Sequence, residues 1–312
     1  MFSKNVWLIT FLCASTSHCF QPAATVLGDG SKYFLHPDPD DTTSNKAKIY
    51  EASRDNGQGE PEGDTVVVKL SPHRERLERE NANYDRVSND KHFVEKIDYM
   101  PDVVNTEESM GQDHGALVLE KGDQDLRDYV RTNGALQGED LRLVAKTAAK
   151  CIKAVHDAGM VWTEVKSRNF VVVEMEDRGR KRVKGIDLEA AVPRGNRPLD
   201  WTPETFPPEF ATVFLCGKEP ETEMDYSFDI WSYGMILWEM AHGEPYFDDR
   251  GAHVEIAQHL RSLEDRPTHA HGNVNPEVLD LIYWCLSVDP SKRPTIQQVV
   301  DHPFLSQSLT SA

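Results

Sequence analysis

Gly159-Met160-Val161-Trp162-Thr163-Glu164-Val165-Lys166-Ser167-Arg168-Asn169-Phe170-Val171-Val172-Val173-Glu174 is the stretch on which the reading of this chain turns. Before it, the apolar positions Leu141, Val144, Ala148, Cys151, Ile152 and Val155 recur at helical spacing, and Gly159 supplies the stop. After it, Phe170 to Val173 is an aromatic and β-branched run that suits a strand. The residues between are therefore a loop. They carry a carboxylate, an ammonium and a carboxamide on Glu164, Lys166 and Asn169, groups suited to handling a metal ion or a phosphate. Most polar loops carry no chemistry, so the flanking segments decide what this one means.

Downstream, Phe170 to Val173 and Arg182 to Ile186 read as two strands joined by a hairpin. Its tip holds the chain's one concentrated basic run, Arg178, Arg180, Lys181 and Arg182, which reads as a solvated turn. Asp187-Leu188-Glu189 follows the second strand. Further on, Phe228 to Met240 is apolar nearly all round, and such a helix belongs at the centre of a folded unit. Upstream, Thr65 to Leu70 is a β-branched run that ends near Lys69. A helix is expected over 73–87, with Leu77, Glu80, Tyr84 and Val87 on one face and Glu75 and Glu78 off it. A carboxylate on an apolar face needs a cationic partner. Ala116 to Gly122 reads as a strand running into a hinge. Near the start, Gly28 and Gly30 could bring bare backbone close to phosphates, or could form a plain turn. Ala47 to Ala52 alternates as the strand that follows, and a second register gives that place to Lys32–Leu35.

In their order and spacing these segments resemble the protein kinase family. The opening loop resembles H-R-D-L-K-x-x-N, with Trp162-Thr163-Glu164 in place of the first triplet. The resemblance implies Glu164 as the group that receives the substrate hydroxyl proton, Lys166 as the steadying cation, and Asn169 as a magnesium ligand. Val66-Val67-Val68-Lys69 resembles V-A-I-K, which implies that Lys69 reaches the nucleotide phosphates and pairs with Glu80. Asp187-Leu188-Glu189 resembles D-F-G, with Asp187 a magnesium ligand and glutamate where the family has glycine. That glutamate either adds negative charge beside the metal site or points to solvent. Leu119 and Glu120 fall beside the nucleotide base, and Gly28 and Gly30 stand in the glycine-rich loop. Trp201 to Glu209 resembles the end of the activation segment, and Arg293 stands where the family supplies a buried cation for Glu209.

The resemblance covers 25–305 and implies an α+β, two-lobed protein kinase-like fold with a small β-rich N-lobe and a larger, mainly helical C-lobe. The expected division is a targeting peptide over 1–20, an N-lobe over 21–120 with an acidic insertion near 36–46, and a C-lobe over 121–308. The expected ligands are ATP and Mg2+, with a protein as substrate or binding partner. Two functions stand: a slow serine/threonine kinase that uses Glu164 as base, and a pseudokinase that binds or scaffolds. Trp162 replaces a histidine that supports the loop in the family. Thr163 replaces the arginine that would read a phosphate on the activation segment, so control by such a phosphate is not expected.

Composition bounds the rest. At 312 residues, with 39% hydrophobic and 28% charged content, the chain can bury a substantial core. A net charge of −18 disfavours nucleic acid and anionic membrane as partners. Lys4, the apolar run Val6 to Ala14 and the small residues Ser15 to Ser17 read as a secretory leader, too short to span a membrane. The expected destination is secreted, luminal or a complex plastid, and no transmembrane helix is expected in the mature chain. Beyond Cys13 and Cys19, the widely spaced Cys151, Cys216 and Cys285 show no disulfide or zinc pattern. His269 and His271 lack convincing partner ligands.

Overall fold

The computed structural model describes residues 24–27, 32–36, 47–58, 60–87, 91–103, 114–174, 180–247, 251–265 and 274–306. The readings placed on the leader, on Gly28 and Gly30, on the insertion beyond His36, on Arg178, and on His269 and His271 fall outside the described residues.

An antiparallel sheet forms the first lobe. Its strands are β1 (Ala24–Leu27), β2 (Lys32–Leu35), β3 (Lys48–Asp55), β4 (Pro61–Ser71), β5 (Lys96–Met100) and β6 (Gly115–Glu120). They lie in the order β1-β2-β3-β4-β6-β5. The register favoured for the second strand, Ala47–Ala52, gives way to the alternative: Lys32–Leu35 is β2, and it pairs with both β1 and β3. The physical reason is burial. Tyr33, Phe34 and Leu35 are all buried, and leaving them in a loop would forfeit that apolar contact. Along β4, Val66, Val68 and Leu70 point into the sheet core, so the period of two turns Val67 and Lys69 to the other face.

Helix α1 (Arg74–Val87) sits between β4 and β5 and buries Leu77, Glu80, Asn83, Tyr84 and Val87 in one stripe. Past β6 the chain turns through Gly122, where a Cβ would lie 2.5 Å from the Val171 Cβ. Only glycine lets the hinge approach so closely. After β7 (Gln124–Asp125) come α2 (Leu126–Asn133) and α3 (Gly138–Asp157), and then β8 (Met160–Val161). A hairpin of β9 (Phe170–Glu174) and β10 (Lys181–Gly185) follows, and β11 (Val192–Pro193) returns to pair with β8.

The remaining chain is helical: α4 (Pro208–Leu215), α5 (Tyr226–His242), α6 (His253–Arg261), α7 (Pro276–Cys285), α8 (Ile296–Asp301) and α9 (Pro303–Ser306). Helix α5 is buried continuously from Phe228 to Ala241, as its all-round apolar sequence requires. Asp225 caps its N-terminus by accepting from Ser227 N, and Gly243 ends it in the left-handed conformation. Arg293 and Glu209 meet in a two-bond pair, 2.7 Å at each nitrogen, with the guanidinium over the Trp231 ring. No helix among the described residues is long and apolar enough to cross a membrane.

Candidate active site

The cleft between the lobes is built around one ammonium. Lys69 Nζ lies 2.7 Å from Glu80 Oε2, 3.3 Å from Asp187 Oδ1 and 3.4 Å from Glu189 Oε2. β4 turns Lys69 towards α1, and the helical stripe brings Glu80 to meet it. Burial works against the Lys69 charge, but Glu80, Asp187 and Glu189 outweigh it and hold the ammonium well above its usual range. One cation cannot neutralise three carboxylates. Burial pushes Glu80 up to about 7, with Asp187 and Glu189 adding to the rise and Lys69 opposing it. Asp187 moves the other way: burial would raise it, but the Lys69 and Lys166 ammoniums hold it below the ordinary carboxylate range.

Of the two alternatives for Glu189, the structure takes the first. Its side chain turns inward, with Oε1 2.7 Å from Arg76 Nε, and is 14% exposed. One oxygen each from Glu80, Asp187 and Glu189 lie within 4.8 Å of one another, a hard-oxygen set of the kind that suits Mg2+. Asp187, a third exposed, is the most open of the three. Asn169 stands beside it in the chain path, since Ile186 N–H donates to the Asn169 carbonyl at 2.9 Å. These donors fit a magnesium-bound polyphosphate next to the Lys69 ammonium.

The loop after β8 forms the floor of the cleft. Lys166 Nζ donates to Glu164 Oε1 at 2.8 Å and to Thr202 Oγ1 at 3.2 Å. Thr202 Oγ1 in turn donates to Glu164 Oε1 at 3.2 Å, which closes a triangle between the loop and the activation segment. Asn169 Nδ2 donates to the Glu164 carbonyl at 2.9 Å, which leaves its side-chain oxygen as a metal donor. Beside Lys166 and Thr202 opens a cavity of about 180 Å³ lined by Met235, Tyr246 and Phe247.

Asp229, fully buried in the first turn of α5, holds this loop in place. It accepts from Trp162 N at 2.7 Å, from Thr163 N at 2.9 Å, and is bonded to His156 Nε2 at 3.0 Å. That clamp stabilises a backbone the residue type resists: Thr163 has φ +64°, unusual for a β-branched side chain. Asp187 also adopts a left-handed φ of +61°. The Trp162 indole N–H donates to the Asp187 carbonyl at 2.9 Å, and its ring packs on Phe93 and Phe170. Thr163 is buried and donates through Oγ1 to the Ala190 carbonyl at 3.2 Å.

Lys69, Glu80, Asp187 and Glu189 thus form one cluster, and Glu164, Lys166 and Asn169 form its floor. Leu119 is buried in β6 opposite Val67, and the Glu120 carboxylate is bound by Lys184 at 2.6 Å through each oxygen. Sequence reasoning missed Asp229, Thr202 and Arg76. A signal existed for the first, because a lone acid in the first turn of an apolar helix needs donors. Nothing local marked Arg76, one of several charges on α1.

A helical lobe beneath a small sheet, with a lysine–glutamate pair and a carboxylate-lined cleft between them, defines a two-lobed, protein kinase-like class of fold. The family model described as protein kinase domain matches residues 54–305, and this chain belongs to the protein kinase family. It is similar to serine/threonine-protein kinase MPS1 of Encephalitozoon cuniculi, at 28% identity over 201 residues, or 63% of this chain and 32% of that protein. It is also similar to Tribbles homolog 2 of Mus musculus, at 27% over 205 residues, covering 64% of this chain and 56% of that one. The zebrafish (Danio rerio) serine/threonine-protein kinase pim-2 matches at 27% over 203 residues, 64% of this chain and 58% of its own. In each case the chain spans less than two thirds of the relative's length.

Proposed function

We propose that this chain binds Mg-ATP in the cleft and transfers the γ-phosphoryl group, slowly, to serine or threonine of a protein. The observation that carries this reading is the triangle of Glu164, Lys166 and Thr202, which puts a carboxylate and an ammonium together on the floor of the cleft. When bound, Mg-ATP supplies the phosphoryl group and the divalent charge. The residues supply position. Lys69 offers its ammonium to phosphate oxygens, while Asp187 and Asn169 offer oxygens to the metal. Glu164 takes the proton of the acceptor hydroxyl as that oxygen bonds to phosphorus and ADP leaves. Lys166 then neutralises the charge gathering on the transferred group. Glutamate carries its carboxylate one methylene further than aspartate, and a misplacement of ~1 Å can cost about a hundredfold in rate.

A second reading, a binding module without turnover, draws support from Glu189, whose carboxylate sits 3.4 Å from the lysine that phosphates would have to engage. Phosphotransfer to a generic protein acceptor by wild type, Glu164→Asp and Asp187→Asn separates the two. The kinase reading expects Glu164→Asp to keep or raise the rate and Asp187→Asn to abolish it. Transfer by neither wild type nor Glu164→Asp above the Asp187→Asn background would leave the binding module.

A further inference from the structure

We propose that Glu189 is a positioning residue: its ion pair with Arg76 holds α1 against the start of the activation segment, so Glu80 reaches Lys69 without any phosphate on that segment. The inference rests on the cleft being the nucleotide site, but its central measurement needs no nucleotide.

Arg76, Arg79 and Asn83 lie at helical spacing along one side of α1, beside Glu80. Each binds the stretch after Asp187. Arg76 Nε meets Glu189 Oε1 at 2.7 Å, and its Nη2 reaches Asp200 at 3.4 Å. Arg79 Nε donates to the Glu189 carbonyl at 2.9 Å. Asn83 Nδ2 donates to the carbonyls of Leu188 and Ala191 at 2.9 and 3.0 Å. The carbonyl contacts do not depend on the side chain at 189. The Arg76 contact does, and it is the shortest of the set.

Three further features assign the role to Glu189. Its other oxygen lies 3.4 Å from Lys69, so one carboxylate ties the helix, the segment and the strand lysine together. The pair is largely shielded, with side chains 29% and 14% exposed, a setting in which it is worth more than an open surface pair. Finally, Thr163 is buried and uncharged with its hydroxyl committed to Ala190, so it offers no cation for a segment phosphate. The negative charge that clamps α1 is written into the chain as Glu189.

The test follows hydrogen exchange of α1 amides in nucleotide-free, full-length wild type, Arg76→Ala, Glu189→Gln, the double variant and Arg76→Lys, with Mg-ATP KM and kcat measured beside it. Each of Arg76→Ala and Glu189→Gln should speed α1 exchange about tenfold, with the double variant no faster than either single, as expected of one coupled pair. Arg76→Lys should recover most of the protection, α8 should be unchanged, and KM should rise more than kcat falls. Phosphatase treatment should leave wild-type α1 exchange unaltered. Exchange in both singles within about twofold of wild type, additive effects in the double, or faster exchange after phosphatase would each overturn the proposal. If no protein in the set binds nucleotide, the functional reading fails while the exchange data still decide this one.

Discussion

Trp162 shows how a single departure from a family pattern can still anchor the loop it sits in. Where the kinase loop has histidine, the indole N–H of Trp162 reaches the Asp187 carbonyl at 2.9 Å from a fully buried position. The aspartate that accepts this bond has a left-handed backbone. In Trp162→Phe that carbonyl loses its donor, and an unpaired buried acceptor costs about 1–3 kcal/mol. Denaturant unfolding should register that loss, and an unchanged midpoint would show the bond to be dispensable. The identities of Glu164, Lys166, Asn169, Lys69, Glu80 and Asp187 were all legible as polar residues at family spacing. The inward turn of Glu189 was not, because its partner Arg76 lies 113 positions earlier in the numbering and only folding brings them together.

At the scale of elements, α5 is the part most fully read from sequence, since an all-round apolar helix has only the interior to occupy. Its packing leaves no slack. A Cβ at Gly234 would come within 2.6 Å of Leu286 Cδ2 and 2.9 Å of Cys285 Cβ, on the facing α7 and its C-cap. Gly234→Ala should therefore gain little from helix propensity and lose about 1–3 kcal/mol to overpacking, read as a lower thermal midpoint with α3 and α5 still helical by far-ultraviolet circular dichroism. The opposite case is the second strand. Alternation favoured Ala47–Ala52, but Lys32–Leu35 also forms a strand because a six-stranded sheet needs cover for Tyr33 and Leu35. Period-two patterns identify strands better than they rank competing registers.

At the scale of the whole molecule, two bulk measurements report on the cleft and the core. A ligand that binds only the folded state stabilises it by about 2.7 kcal/mol at ~100 times its Kd. Mg-ATP should therefore raise the melting temperature of wild type and not of Lys69→Met; equal shifts in both would place the nucleotide away from Lys69. The second measurement concerns Glu239, buried in α5, whose carboxyl burial raises above its ordinary 4.5 while Arg127 pulls it back. A raised folded-state carboxyl holds its proton where the unfolded chain has already released it. Its contribution is complete below about 4.5 and is lost as pH rises through the raised value. Relative to Glu239→Gln, wild type should lose stability as pH climbs above 4.5, until the raised folded-state value is passed. A parallel pair of stability curves would show that Glu239 is not titrating.

The linear chain by itself determined the loop that carries Glu164, Lys166 and Asn169, the apolar stripe that includes Glu80 and the buried α5, each written in short-range periodicity and residue type. The two-lobed architecture and the pairing of Lys69 with Glu80 followed from the resemblance of these segments, in their order and spacing, to the protein kinase family. Only the tertiary structure decided where Glu189 points, that Thr202 closes on Glu164 and Lys166, and that Asp229 holds the strained Thr163 backbone. Those facts depend on distances between segments far apart in the chain, and such distances are set by how whole elements pack rather than by any local pattern.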